Sequence, residues 1–587
     1  MRVEMGKTHL VGATARFTFD GEALTGLTGE SLAAALTAAG RLALRRDGAG
    51  GRRGVFCGMG VCQECLVTAD GLPHRRACMT ALRDGMTVKT DEPLAAARPL
   101  AASDLPPPSF PPDYPSSPDV LVIGGGPAGL SAALAACEAG AEVVLLDERP
   151  ILGGQYFKQL SLGHAFAAGR PSDRQYDDGA RLIDAVGAAG VRVVSGAQVW
   201  GAFPGPEIAL AGPDGGTTLR PRRLILATGA YERGLPVPGW TLPGVMATGA
   251  AQTLLRAYRV LPGRRVLVAG NGPLNFQVAA ELLDSGAEVV AVAELACRPG
   301  PRALPDLVKA VMASPDLLRD GAGYLARLRR ARVPVFWGHV LAEAVGPEGG
   351  AVEEAALAPL DGRGGPRRFA VDAVCMGYGF LPQNELARAI GCEHEADPHS
   401  GALLTVRAED GRTGLPEVFV AGDAGGLGGA RAAQVQGRMA GFAAARDLGF
   451  PGVETRRLST ALRRHRRFQA ALWRIFAADL PMPAAPGVTV CRCENLTLAE
   501  VEAALETGAL TPGALKRMTR LGMGRCQGRY CMPVLTTLLA ARRGGSLAPA
   551  DYPASRAPAK PTRIADLAAR PDSGHVAITE ESGTVGD

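Results

Sequence analysis

The sequence predicts a multidomain α/β chain with two dinucleotide-binding domains in its middle and a small cysteine-rich module at either end. Three observations carry that prediction. Glycine fingerprints follow β-rich apolar runs at Gly124 and again at Gly270. From Val120 to about Gly441 such runs (VLVIG, VVLLD, RLILATG, RVLVAG, VVAVAE, VFVAGD) alternate with Ala- and Leu-rich helical stretches, the pattern of parallel sheets covered by helices. Eight of the 12 cysteines fall into two clusters, one before and one after that stretch.

The 587 residues are too many for one core and call for several modules. A composition of 47% hydrophobic and 21% charged residues is ordinary for a globular protein, and a net charge of +5 is too weak over this length to imply a nucleic-acid partner. The opening MRVEMGKTHLVGATARF lacks the apolar core of a secretory signal, so a cytoplasmic protein with reduced thiols is expected. Residues 120–137 carry no charge and approach the length of a minimal membrane span. They contain GGGPAG, however, and read as a strand, tight turn and helix, so no integral membrane segment is expected. In a reducing compartment the cysteines point to metal or redox chemistry rather than disulfides.

The amino-terminal module spans residues 1–92. RFTFDGEAL and TGESLAAALTAAG read as a hairpin and a capped helix, as in a β-grasp ferredoxin. Cys57, Cys62 and Cys65 stand in CGMGVCQEC, the C-x4-C-x2-C spacing of a plant-type 2Fe-2S site, and Cys78 is the fourth thiol. Gly58 and Gly60 let the loop wrap a cluster and turn backbone N–H groups towards it. Asp70-Gly71 is a hairpin turn that brings Cys78 back. Zinc and buried structural thiols are the competing readings, and the four-cysteine array favours 2Fe-2S. Residues 93–118, rich in Pro and Ser, form a linker.

Residues 119–240 open a nucleotide-binding domain. Gly124, Gly126 and Gly129 follow VLVI and start a helix, and Asp147 ends the next strand. The glycines allow the tight turn, approach of a pyrophosphate and close helix packing, and the acid suits ribose hydroxyls. Residues 241–368 repeat the unit with Gly270, Gly272 and Glu294, but Asn275 replaces the third glycine, so NAD(P) or another nucleotide is left open there. Residues 369–447 return to the first domain and end in EVFVAGDAGG with Asp423. Residues 448–486 hold a basic helix read as solvated or subunit-facing, and residues 546–587 form an extended tail. Between them, residues 487–545 carry Cys491 and Cys493 in CRCE and Cys526 and Cys531 in CQGRYC, read as 2Fe-2S with zinc as the alternative. Cys137, Cys297, Cys375 and Cys392 stand alone and read as buried structural thiols, which disfavours disulfide reduction.

ATG at 227–229 with the late AGD resembles the pyridine-nucleotide-disulfide reductase superfamily. That resemblance implies FAD in the first site, with Asp423 at the ribityl chain and Gln155 and Thr228 as further cofactor contacts. The C-x-C…C-x4-C end resembles bacterioferritin-associated ferredoxin (BFD), although that family has a shorter last spacing. The ferredoxin module, ATGAYERGLPVPGWTLPGVMATGAAQTLL and CRCE…GMGRCQGRYC together resemble the α-type subunits of opine oxidases, hydrogen cyanide synthase and D-hydroxyproline dehydrogenases, with a small ferredoxin fused at the front. This implies a β-grasp-type 2Fe-2S ferredoxin module, a disulfide-reductase-like flavoprotein core and a helical BFD-like 2Fe-2S domain. It also implies an electron-transfer subunit serving a partner flavoprotein of the D-amino-acid-oxidase type and a separate electron acceptor. A self-sufficient NAD(P)H-dependent reductase and an iron-binding or regulatory adaptor are the alternatives.

Overall fold

The computed structural model describes residues 1–3, 8–93, 116–166, 173–212, 215–398 and 400–568. Most of the predicted linker, 94–115, and the last residues, 569–587, lie outside the described residues.

In the amino-terminal module, strands β1 (Thr14–Phe19) and β2 (Glu22–Leu27) form a hairpin. Helix α1 (Leu32–Ala38) follows, capped by Ser31, whose hydroxyl accepts from the Ala34 N–H at 3.2 Å. β3 (Leu66–Ala69) and β4 (Leu72–Arg76) turn at Asp70-Gly71, both with positive φ, the geometry that two-residue hairpins favour. β5 (Thr87–Thr90) runs parallel to β1 and antiparallel to β3, giving the sheet order β2-β1-β5-β3-β4.

The first nucleotide-binding sheet is all parallel. β6 (Val120–Ile123) leads through the glycine turn into α2 (Pro127–Glu138), followed by β7 (Val143–Asp147), α3 (Arg174–Ala188), β8 (Arg192–Ser195) and β9 (Arg223–Leu226). The second sheet uses β10 (Val245–Ala247), β11 (Arg265–Gly270), β12 (Glu288–Glu294), β13 (Val335–Trp337) and β14 (Ala373–Gly377). Its helices are α4 (Thr248–Tyr258), α5 (Pro273–Asp284), α6 (Leu304–Ala313) and α7 (Pro315–Arg330). The chain then returns to the first sheet through β15 (Val418–Val420), completing the order β8-β7-β6-β9-β15. The second sheet has the order β10-β14-β11-β12-β13.

Helix α8 (Ala430–Arg446) packs closely on α2 because both present small residues. A Cβ on Gly437 would stand 2.0 Å from the Ala128 carbonyl oxygen, and one on Gly441 2.2 Å from that of Ala132. The basic helix is α9 (Arg456–Ile475). It buries Leu462, Phe468, Ala471 and Ile475, so its apolar stripe is part of the fold while the arginines face outward. The carboxy-terminal module comprises α10 (Leu498–Glu506), with a reciprocal Thr497–Glu500 capping box, α11 (Pro512–Thr519) and α12 (Met532–Arg543).

One expectation gains detail and one needs correction. Residues 546–568 are an extended arm docked on the first nucleotide-binding domain. The Ala559 N–H donates to the Trp200 carbonyl at 2.7 Å, Gln198 donates to the Pro561 carbonyl at 2.9 Å, and Lys560 pairs with Glu148. Of the four isolated cysteines, Cys375 and Cys392 are buried, but Cys137 is only half-buried and Cys297 is exposed. Cys297 follows β12 in a loop with no apolar cover, which sequence periodicity cannot reveal. Among the described residues, no helix is long and apolar enough to cross a membrane.

Candidate active site

The turn between β6 and α2 is built from glycines because each has a different steric duty. Gly124 has φ +110°, and a Cβ there would stand 2.4 Å from the Ala227 carbonyl oxygen. At Gly129 a Cβ would fall 1.7 Å from the Gly124 oxygen, so α2 can approach the turn only without a side chain. Gly126, the N-cap of α2, differs: its φ is −87°, and the nearest atom to a Cβ would be the Gly154 Cα at 3.7 Å. Packing therefore does not demand glycine at 126. The space in front of it belongs to a cavity of about 1460 Å³, a cradle that a side chain would fill. That cavity exceeds the usual size of a small-ligand pocket and suits an extended dinucleotide at a helix N-terminus.

Gly124, Gly126, Asp147, Gln155, Thr228 and Asp423 all line this cavity. Asp147 accepts from the N–H groups of Gly125 (2.5 Å) and Arg149 (2.7 Å), and burial pushes its carboxyl up despite those bonds. Asp423 is held by the N–H groups of Gly428 (2.8 Å) and Gly429 (3.2 Å) before α8, and burial again pushes it up. Gln155 follows the Gly153-Gly154 turn, whose positive φ values let it close against the first glycine loop.

Sequence reasoning misses two cavity residues. The Glu232 carboxylate accepts from the Gly249 N–H at 2.6 Å through one oxygen, while the other is buried with no hydrogen-bond partner among the described residues. Burial pushes its carboxyl up to about 7, against the Gly249 bond and Lys158. Lys158 donates to Gln252 at 3.0 Å, and burial lowers it to about 7. Lys158 follows the Gly153-Gly154-Gln155 turn and Glu232 follows ATGAY, so proximity to cofactor motifs is the available signal.

The second fingerprint is shaped differently. Asn275, in place of the third glycine, is buried and donates to the Gly377 carbonyl at 3.0 Å while accepting from Thr248 at 3.0 Å. Its amide fills the space between α5 and β14 that glycine would leave. Both Glu294 oxygens are engaged, one by the Gly272 N–H (2.9 Å) and one by that of Ala296 (3.0 Å). Glu294 and Gly270 do not line the cavity, although Gly272 does. Phe476, just beyond α9, stacks on Trp337 with ring centres 6.3 Å apart, and its carbonyl accepts from Asn271 at 3.1 Å. The connector thus closes over the second turn.

The thiols assemble in pairs. In the amino-terminal loop Cys57 hydrogen-bonds with Cys62 and Cys65 with Cys78, and all four are buried. Burial resists ionisation of Cys57, but the Cys62 thiol and the N–H groups of Met59, Val61 and Cys62 outweigh it and bring Cys57 to about 6. In the carboxy-terminal module Cys491 pairs with Cys531 and Cys493 with Cys526. Among the described residues no group of three or more candidate ligands surrounds one metal-ion position. Two pairs per module suit a dinuclear centre, in which each iron would take two thiolates.

Residues 118–437 match the pyridine nucleotide-disulphide oxidoreductase family, residues 12–93 a 2Fe-2S iron-sulfur cluster binding domain, and residues 489–541 a BFD-like 2Fe-2S binding domain. The opine oxidase A-subunit of Agrobacterium tumefaciens is 34% identical over 77% of this chain and 92% of its own length. Hydrogen cyanide synthase subunit HcnB of Pseudomonas protegens is 31% identical over 70% of this chain and 90% of its own. The sarcosine oxidase alpha-subunit of Rhizobium meliloti is 27% identical over 90% of this chain but only 55% of its own length. The crystal structure of L-proline dehydrogenase from P. horikoshii shares the fold, with a TM-score of 0.69 at 21% identity over 95% of this chain and 98% of its own. With a flavin-type core between two 2Fe-2S domains, the chain is an FAD-dependent oxidoreductase and belongs to the family of the opine oxidase A-subunit and hydrogen cyanide synthase subunit HcnB.

Proposed function

We propose that this chain is the electron-transfer subunit of a heteromeric amine or imino-acid dehydrogenase acting on an opine, D-hydroxyproline, glycine or a sarcosine-like substrate. In this reading a D-amino-acid-oxidase-type flavoprotein subunit oxidises the substrate. One observation carries the relay role: Cys57, Met59 and Val61 of the amino-terminal loop line the same cavity as the Gly124–Gly126 turn and Asp423. A cofactor seated on that turn therefore faces the iron-sulfur module directly. When bound, FAD supplies exchange between two-electron and one-electron chemistry.

The chain's own residues provide the seat. The N-terminus of α2 and the Gly126 amide receive the pyrophosphate, Asp147 the adenosine ribose, and Asp423 the ribityl chain. Gln155 and Thr228 border the remainder, and Lys158 and Glu232, which both line the cavity, are each able to hold or release a proton there. The Cys57/Cys62 and Cys65/Cys78 pairs hold one cluster, and Cys491/Cys531 and Cys493/Cys526 the second.

Glu294, which unlike Asp147 does not line the cavity, and the filled position at Asn275 disfavour the NAD(P)H-dependent reductase alternative. For the partner, α6 exposes Leu304, Val308, Val311 and Met312 in an i, i+4, i+7, i+8 stripe, and its neighbour Leu307 lines the cavity. That stripe, on the helix whose Leu307 borders the cavity, is a suitable seat for the oxidising subunit.

Coexpression with an oxidase-type flavoprotein should give a stable complex that reduces an artificial dye with a proline derivative, sarcosine, glycine or an opine. Substrate oxidation by the purified single chain at the rate of the complex would defeat the relay reading.

A further inference from the structure

The two cysteine modules meet through residues that adjoin their thiols. Glu64, inside CQEC, is completely buried. It accepts from Arg45 at 2.9 Å and from Arg492 at 3.2 Å, with Arg53 4.0 Å away. Arg492, inside CRC and 428 residues distant in sequence, is itself buried and also donates to the Trp240 carbonyl at 2.7 Å. Its guanidinium lies 4.0 Å over the ring of Phe56, the residue before Cys57. Phe56 meets edge-on both Trp240 (5.7 Å) and Tyr530, the residue before Cys531 (5.2 Å). Arg53 adds a 2.6 Å bond to Asn495, two residues beyond Cys493.

Ion pairs buried this deeply are poor stabilisers, because desolvation cancels most of their attraction and apolar residues of similar volume hold surfaces together equally well. Their value here is electrostatic. Three arginines face two buried carboxylates, Glu64 and Asp47, the latter 2.6 Å from Arg53, between two thiolate-ligated clusters, which are anionic and become more so on reduction. The surplus positive charge offsets repulsion between them at a separation set by single side chains. The direction is also set, since Cys57 lines the flavin cavity and no cysteine of the carboxy-terminal set does.

We propose that the two clusters form one directional junction. The amino-terminal cluster is proximal to the flavin and the carboxy-terminal cluster distal, with Glu64 and Arg492 as positioning residues that hold them in electronic contact across Phe56 and Tyr530. One electron leaves the proximal cluster, which is oxidised, and enters the distal cluster, which is reduced; no bond forms or breaks and no proton moves. This rests on the 2Fe-2S and flavin assignments of the proposed function but on neither its substrate nor its partner protein.

The test uses the purified full-length chain, with its flavin photoreduced so that no substrate or partner is needed. Fully reduced protein should show magnetic interaction between two paramagnetic clusters in EPR, and two isolated signals would overturn the junction. Cys62→Ser should leave the distal cluster reducible by dithionite but not by the photoreduced flavin, whereas Cys526→Ser should leave flavin-driven reduction of the proximal cluster intact. The reverse pattern would overturn the order. Arg492→Gln should keep iron and acid-labile sulfide yet change the electron distribution between clusters by about tenfold, ~59 mV for one electron, with partial recovery in Arg492→Lys. Unchanged potentials and unchanged magnetic interaction in Arg492→Gln and Glu64→Gln would refute the positioning role. If either variant fails to assemble, the wild-type spectrum and the two cysteine variants still decide the junction and its order.

Discussion

Gly126→Val separates cofactor binding from folding. At this position φ is −87°, which valine accepts, and a Cβ meets nothing nearer than 3.7 Å. Exchanging an N-cap glycine for an apolar residue costs about 1 kcal/mol of helix stability, so the variant should remain folded. Its side chain, however, enters the cradle where a pyrophosphate approaches the N-terminus of α2. Losing about two charge-assisted N–H bonds at ~1.5–3 kcal/mol each weakens flavin binding by ~3–6 kcal/mol, or roughly 10²- to 10⁴-fold. The assay is flavin released on denaturation per chain, paired with a fluorescence titration of the flavin-free protein and circular dichroism of both forms. Wild-type flavin affinity in Gly126→Val would show that this turn does not hold the cofactor. Loss of flavin together with loss of native circular dichroism would show that the steric reasoning about Gly126 is wrong.

The contrasting substitution, Gly129→Ala, places a Cβ 1.7 Å from the Gly124 oxygen and should lower soluble yield and thermal stability as well as flavin content. Anaerobic NADH should leave the flavin oxidised, because Asn275 stands where the fingerprint's third glycine would let the helix pack closely and Glu294 lies outside the cavity lining; rapid bleaching would promote the reductase alternative. For Glu232, displacement of the carboxyl from its ordinary 4.5 to about 7 corresponds to ~3 kcal/mol. The folded chain holds that proton more tightly than the unfolded chain, so stability falls as pH rises through this window. Glu232→Gln should therefore stabilise the flavin-free chain at pH 8 and not at pH 4; equal denaturation midpoints at pH 8 would contradict the burial argument. Val308→Arg with Met312→Arg should weaken the complex with the oxidising subunit while leaving flavin content unchanged, measured by size-exclusion chromatography of the coexpressed proteins.

The features legible in the sequence are those whose physical cause is local. A tight turn needs Gly124 wherever it occurs, an Asp-Gly pair makes a hairpin from its own φ preferences, and short cysteine spacings confine thiols to one loop. The candidate cofactor residues follow from such rules, and the structure brings Gly124, Asp147, Thr228 and Asp423 to one cavity although they are far apart in the chain. What escapes depends on long-range burial. Glu64 and Arg492 look like exposed charges between cysteines, and only the meeting of the two modules makes them buried partners. Lys158 and Glu232 carry no spacing signal because their significance comes from desolvation in a cavity assembled by two domains. The arm at 546–568 has the polarity of a free tail. Its docking uses a backbone bond to Trp200, a side-chain bond from Gln198 and an ion pair to Glu148, which composition does not record.

The second nucleotide-binding domain has a packing role whatever nucleotide it holds. One continuous core joins Phe17, Leu32 and Leu36 of the amino-terminal module to Leu254 of α4, Val266 and Val268 of β11 and Val278 of α5. Gly58 of the first cluster loop rests on α4, where a Cβ would stand 3.0 Å from the Ala250 backbone. The α4 N-terminus also supplies the Gly249 N–H that fixes Glu232 at the cavity. A single helix thus seats the cluster loop on one side and orders the cavity wall on the other. This accounts for a fingerprint that keeps its strand, helix and first two glycines while giving up the third: α5 and β14 must hold their spacing to support the shared core, and Asn275 holds it by hydrogen bonds across the gap. Removing the domain would unseat the Cys57 loop as well as open the cavity, so its packing role stands without any nicotinamide chemistry.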